Sequence, residues 1–321
     1  MDTNNAENAE KPVLEKNIIK VTDLHKYFGD IKAVDGISFE VIKGSLFAFL
    51  GTNGAGKSTT ISIISTLLKK TSGTVEVNGK LIDSEDEKIR QDIGVVFQDN
   101  LLDPLLTVKE NLLVRGRLYG LTKGEILNRM DYLAEAIDTK DFLNQRYGTL
   151  SGGQKRRADM VRALINYPKI LILDEPTTGL DPSTRRKVWQ IIEKLKQEKE
   201  LTIFLTTHYM EEAAIADKIV VINKGKIVAE GTPEELRLEF SNDRLHLIYK
   251  KEALKKLKSA IKKFAYREDR DKIIVDLDDS MSAVDILNQV KEYINAFEVI
   301  RGNMDDAFIN INLRCENASN I

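Results

Sequence analysis

Five apolar residues, Leu46–Leu50, run into Gly51-Thr52-Asn53-Gly54-Ala55-Gly56-Lys57-Ser58, and a helical pattern opens directly afterwards. A strand, a Gly-rich loop closed by Lys-Ser and a helix make the context in which backbone N–H groups wrap a phosphate. Gly54 and Gly56 allow a backbone path that a Cβ would block. Lys57 is placed to reach β- and γ-phosphates, and Ser58 offers a hydroxyl to Mg²⁺. With Thr59 continuing the helix start, Gly51–Thr59 is the candidate ATP- and Mg²⁺-binding segment.

A loop of this kind belongs to an α/β core, and the rest of the chain agrees. Short apolar runs read as strands at Ile18–Val21, Ile37–Val41, Leu46–Leu50, Val75–Val77, Ile93–Phe97, Ile170–Leu173, Thr202–Thr206 and Lys218–Ile222. Several are apolar throughout, as strands covered on both faces of a mainly parallel sheet must be. From Thr107 to Gln145 strand signals vanish; Val108, Leu112, Leu118, Ile126, Met130, Leu133, Ile137 and Phe142 keep helical spacing. The reading is a helical subdomain, about residues 100–165, inserted into the core.

Residues 1–17 are polar and read as a tail without an apolar signal region. Pro233 is placed to open a helix from Glu234 to Phe240, which closes a domain over residues 18–240. Beyond it, Leu245–Tyr249, Ile273–Leu277 and Phe297–Ile300 read as strands. A stripe Leu254, Leu257, Ile261, Phe264 and a segment Ala283–Ile294 read as helices, so residues 241–321 are expected to form a small α+β domain. Seven lysines between Lys250 and Lys263 flank that stripe and read as its solvated face. A length of 321 residues allows about two domains. The net charge of −2 argues against a nucleic-acid coat, and a single cysteine, Cys315, excludes an intrachain disulfide. No apolar run approaches the ~20 residues of a membrane helix.

The chemistry concentrates at two further places. Asp174 ends the apolar strand Ile170–Leu173, where a carboxylate can hold Mg²⁺ beside Ser58; Glu175 adds an acid able to orient and deprotonate water. Pro176 and Gly179 then turn the chain sharply. Upstream, Leu150-Ser151-Gly152-Gly153-Gln154 gives a helix N-cap followed by bare backbone N–H groups, a second grip for an anion. Lys155-Arg156-Arg157 follows in the same helix, and reads as phosphate-facing or solvated charge.

In order and wording these motifs resemble the nucleotide-binding subunits of ATP-binding cassette (ABC) transporters, from about Ile18 to Arg237. Leu150–Gln154 matches the signature sequence of that family without substitution. The resemblance implies that Gln98 lies at the Q-loop as a ligand of Mg²⁺ or water. It likewise implies that Thr178-Gly179-Leu180-Asp181 is the D-loop and that His208 is the switch histidine, donating to the γ-phosphate. Asp181 is also suited to cap the helix that Pro182 opens. An aromatic ring before a glycine stacks on adenine in this family; Phe28, directly before Gly29, is the better match and Tyr27 the competitor. The family further implies two copies, or a copy and a homologous ATPase subunit, that sandwich ATP between the Gly51–Thr59 loop of one and Ser151–Gln154 of the other.

Phe97-Gln98-Asp99, Leu106-Thr107-Val108, Glu110-Asn111-Leu112, Thr177–Pro182 and Thr207–Glu212 are similar to the ATPase subunits of ABC-2-type exporters, the daunorubicin-resistance and sodium-efflux class. Met304-Asp305-Asp306-Ala307-Phe308 fits their C-terminal domains. That resemblance implies a chain held at the cytoplasmic face of the membrane by separate permease subunits, with no nucleic acid. A soluble ABC ATPase acting on a ribosome or nucleic-acid complex is the alternative, but ribosome-acting proteins of that kind usually carry two cassettes in one chain, and this chain has one.

Overall fold

The computed structural model describes residues 17–99, 101–199, 201–277 and 279–319. Of the expected N-terminal tail, residues 1–16 lie outside the described residues, and Asn17 opens the first strand. The described residues divide into two compact units, residues 17–47 with 58–206, and 48–57 with 207–319.

The first unit begins with the long antiparallel strands β1 (Asn17–Phe28) and β2 (Ile31–Ile42), joined by the turn at Gly29. With β4 (Ser72–Val77) and β5 (Lys80–Leu81) they form a sheet ordered β2-β1-β4-β5. A second sheet holds the start of β3 (Leu46–Leu50), then β8 (Thr202–Thr207), β7 (Ile170–Asp174) and β6 (Ile93–Val96), in that order. β6, β7 and β8 are parallel, with Ile93 opposite Ile170 and Ile170 opposite Thr202. Their fully apolar interiors explain the absence of alternation in the sequence. Phe39, Phe47 and Phe204 pack ring on ring, with centroids 5.1–6.1 Å apart.

Helix α1 (Lys57–Ile64) follows the Gly-rich loop, and α2 (Asp86–Asp92) leads into β6. The helical subdomain is α3 (Val108–Leu118), α4 (Lys123–Ala136) and α5 (Gly152–Leu164). Both α3 and α4 start in capping boxes, Thr107 with Glu110 and Thr122 with Glu125, each satisfying two otherwise orphaned N–H groups. The long helix α6 (Pro182–Lys199) completes this unit.

In the second unit the order is β10 (Lys226–Gly231), β9 (Lys218–Asn223) and the end of β3, with a short α7 (Met210–Ala213) before β9. Thr232 caps α8 (Pro233–Phe240), with Pro233 in its first turn. Next come β11 (Asp243–Tyr249), α9 (Leu254–Ala260), β12 (Tyr266–Asp269), β13 (Lys272–Leu277), α10 (Ser282–Val290) and β14 (Ile294–Ile300). Their sheet order, β12-β13-β11-β14, is that of a split βαββαβ fold, and Leu245, Leu247, Leu257, Ile261, Ile273, Val275 and Ile286 make its core. A last helix, α11 (Met304–Ser319), packs on α8, α7 and β10.

The α/β cassette with helical insert and α+β C-terminal region is therefore what the chain folds into. The structure departs from the sequence reading in several elements: β1, β2 and β14 are longer than expected, and β5, β10, α11 and β12 were not expected. β12 was not expected because Tyr266-Arg267-Glu268-Asp269 is an exposed edge strand with no apolar alternation. The expected helix to Ile294 stops at Val290, where no Gly or Pro marks the end. No helix among the described residues is long and apolar enough to cross a membrane.

Candidate active site

The phosphate loop belongs to the second unit. Gly51 passes so close to β9 that a Cβ would meet Ile222 O at 2.5 Å, and Gly54 and Gly56 take φ of +79° and +112°. These are the conformations for which glycine was expected. Lys57 is buried, and its Nζ donates to Gly51 O at 2.7 Å and Thr52 O at 3.1 Å, folding back over its own loop. Gly225 N in the β9–β10 turn donates to Ala55 O at 2.9 Å and braces the loop from behind. His208, just after β8, is half-buried with its ring 4.1 Å from that of Tyr209. Beside it Thr207 Oγ1 donates to buried Glu212 at 2.6 Å and accepts from Tyr209 N at 2.9 Å, which fixes the backbone that carries the histidine.

The acidic pair belongs to the first unit, as do Ser58 and Thr59. Asp174 is buried at the end of β7, and Thr206 Oγ1 donates to its Oδ1 at 2.5 Å. Glu175 has φ of +46°, a left-handed conformation costly for a residue with a Cβ. Its N–H donates to Thr206 O at 3.0 Å, and Thr178 Oγ1 donates to its Oε2 at 3.1 Å. Strain held by this many bonds re-aims the carboxylate at the strand end, where such outliers concentrate in functional sites. Gln98 is exposed two residues beyond β6.

The signature forms a capping box: Ser151 Oγ accepts from Gln154 N, and Ser151 N donates to Gln154 Oε1 at 2.9 Å. A Cβ on Gly152 would meet open space, whereas one on Gly153 would strike Thr184 Cγ2 at 2.7 Å. Thr184 in turn donates from Oγ1 to Asp181 Oδ2 at 2.5 Å, and Asp181 Oδ1 accepts from Ser183 N and Thr184 N. Asp181 thus caps α6. Hydrogen bonds from Ser183, then Thr184, hold its carboxyl well below the ordinary carboxylate range. The structure brings Gly153 of the signature against the helix capped by the D-loop of the same chain.

One sequence reading is corrected. Arg156 is neither solvated nor phosphate-facing: it is only 7% exposed and its guanidinium gathers backbone carbonyls. Nε donates to Pro176 O at 2.6 Å, Nη2 to Asp174 O and Glu175 O at 3.0 Å each, and Nη1 to Phe97 O. The planar fork of arginine supplies this geometry where a lysine ammonium would not. One side chain therefore ties the signature helix to the acidic pair and to the residue before Gln98. In the same helix Arg162 bonds Asp159 and Val95 O, and Tyr147 Oη donates to Asp159 Oδ2 at 2.7 Å. A run of three basic residues gives no sign of which one points inward.

The two aromatic candidates separate clearly. Tyr27 is engaged, its hydroxyl bonded to His25 Nδ1 at 2.8 Å and donating to Asp35 at 3.0 Å. Phe28 is 48% exposed, with Lys26 Nζ 4.9 Å from its ring centroid.

Comparison with known proteins gives the family. Residues 34–178 match the family described as ABC transporter, and residues 231–311 match the C-terminal domain of DrrA1-3-like ATP-binding proteins. The chain is 35% identical over 301 residues to the daunorubicin/doxorubicin resistance ATP-binding protein DrrA of Streptomyces peucetius, covering 91% of each. It is 40% identical over 229 residues to the linearmycin resistance ATP-binding protein LnrL of Bacillus subtilis (strain 168), covering 71% of this chain and 73% of that one. Among solved structures, a dimeric ATP-binding cassette bound to ADP and Pi in a post-hydrolysis state superposes with a TM-score of 0.62 at 30% identity. That alignment covers 67% of this chain and 98% of the cassette. The chain belongs to the ATP-binding proteins of the ABC transporter family.

Proposed function

We propose that this chain is the ATP-hydrolysing subunit of an exporter whose membrane-spanning part is a separate permease, and that it works as a pair. The observation that carries the hydrolytic reading is the strand end at Asp174 and Glu175: one carboxylate buried and oriented by Thr206, the next carried on a left-handed backbone and held by Thr178. Ser58 and Asp174 supply hard oxygen donors of the kind Mg²⁺ takes, and Gln98 adds a carbonyl. Mg²⁺, when bound, neutralises charge building on the transferring phosphoryl group. Lys57 holds the β- and γ-phosphates, Phe28 stacks on adenine, Glu175 accepts the proton of the attacking water, and His208 donates to the γ-phosphate. Export is favoured by relatives named for daunorubicin/doxorubicin and linearmycin resistance and for Nod factor export.

Pairing rests on the signature. Its box uses Ser151 to satisfy the start of α5, while Gly152, where a Cβ would meet open space, keeps the approach clear for a phosphate brought by the second subunit. Expected for Ser151→Trp is unchanged binding of a fluorescent ATP analogue to the monomer and loss of phosphate release. Survival of ATPase activity would overturn the shared site. A groove of about 770 Å³ lined by Leu67, Phe97, Leu101, Val114 and Leu118 lies beside the Gln98 loop, and Leu67, Leu101, Val114 and Leu118 are all exposed. We assign it to the permease contact, through which closure of the pair is transmitted.

For the base-stacking assignment, Phe28→Ala should lose ~1–3 kcal/mol of stacking, roughly a five- to hundredfold rise in the KM for ATP. Tyr27→Ala should leave that KM within about twofold, since Tyr27 is engaged by His25 and Asp35 and not by the base. Steady-state kinetics on both variants decide between the rings, and the reverse result would transfer the role to Tyr27.

A further inference from the structure

The phosphate loop lines a cavity of about 670 Å³ whose walls include Thr52, Asn53 and Gly54 together with Asn312 and Cys315 of α11. The turn between β9 and β10 lies in the same wall, through Asn223 and Lys224. Two bonds connect these parts in series. Asn312 Oδ1 accepts from Asn223 Nδ2 at 3.1 Å, and Gly225 N, two residues further on, donates to Ala55 O at 2.9 Å. The amide of Asn312 is itself oriented, because its Nδ2 donates to Phe308 O one helical turn back at 2.9 Å. α11 is anchored elsewhere as well: Asn310 Nδ2 donates to Phe240 O at 2.8 Å, and Arg244 pairs with Asp306.

We propose that Asn312 is a positioning residue for the phosphate loop. α11 holds the β9–β10 turn through Asn223, the turn holds Ala55, and the C-terminal domain thereby sets the affinity for ATP. The inference rests on the ATP-binding role assigned to Gly51–Thr59. A polar pair at this spot carries a cost that a mere packing contact would not, since each amide must leave water to meet the other. Placed at the brace of a loop whose glycines already adopt demanding conformations, it fixes the loop in the state that binds phosphate. By reciprocity, a nucleotide on the loop tightens the contact with α11.

The only cysteine of the chain, half-exposed Cys315, makes the contact measurable. In the full-length protein, Asn223→Ala and Asn312→Ala should each raise the KM for ATP about three- to tenfold, the loss of one neutral hydrogen bond, with kcat unchanged. The double variant should show no more than the larger single effect, because both changes cut the same link. In Glu175→Gln protein, ATP should slow alkylation of Cys315 by iodoacetamide, and adding Asn312→Ala should abolish that protection. Additive rises in KM, or a fall in kcat alone, would overturn the proposal, as would protection that survives without Asn312. A chain that binds no ATP even with Asn223 and Asn312 intact would instead sink the nucleotide reading on which the proposal stands.

Discussion

Glu175→Gln binds ATP and pairs with a second copy in its presence, but its phosphate release falls by about 10²–10⁴-fold, the usual contribution of a positioned general base. In barrier terms that is about 3–5 kcal/mol, withdrawn from one step only. The amide is isosteric and keeps an oxygen to accept from Thr178 Oγ1, so the strained strand end is retained. What disappears is the ability to take a proton from water. Malachite-green assays of phosphate release, with light scattering for the ATP-dependent pair, separate the two effects. Full turnover in this variant would remove Glu175 from the role and leave the carboxylate merely structural.

Arg156→Met is expected to be the most damaging change outside the groups that touch ATP. The side chain volume is roughly kept, yet carbonyls of Phe97, Asp174 and Pro176 lose this donor, while Glu175 O still accepts from Thr178 N. Each buried acceptor left without a partner costs roughly 1–3 kcal/mol, so a loss of about 3–5 kcal/mol is expected even after some rescue by water. A urea titration would report this as a lower midpoint with unchanged slope. Arg156→Lys should recover part of the stability, because one ammonium reaches some of the carbonyls but cannot span them all as a planar fork does. Equal stability of all three proteins would show that the fork is dispensable.

Motifs that answer to a backbone requirement were legible. Gly54 and Gly56 are where positive φ occurs, Ser151 and Asp181 cap the helices that follow them, and Pro233 lies in the first turn of its helix. In each case a short-range rule fixes residue type and position together. Arg156 escaped because its role is set by three chain segments that meet only in the folded molecule. The choice between Tyr27 and Phe28 was open for a similar reason: Asp35, which engages Tyr27, lies across a hairpin and lends nothing to the local pattern. β12 was hidden because an exposed edge strand has no buried face to impose alternation.

The contact between Gly153 and Thr184 has a consequence for how such a sequence can drift. Alanine at position 153 is barred by a single methyl, Thr184 Cγ2, while the next nearest atoms, Thr184 Oγ1 and Cβ, stand 3.6 and 3.7 Å away. Threonine at 184 is kept in turn by the hydroxyl it lends to Asp181. Serine at 184 would discard the methyl and retain the hydroxyl, so the steric bar at 153 is lifted in one order only. Serine must arrive first, and a lineage that gained the alanine beforehand would pass through a protein with its D-loop helix displaced.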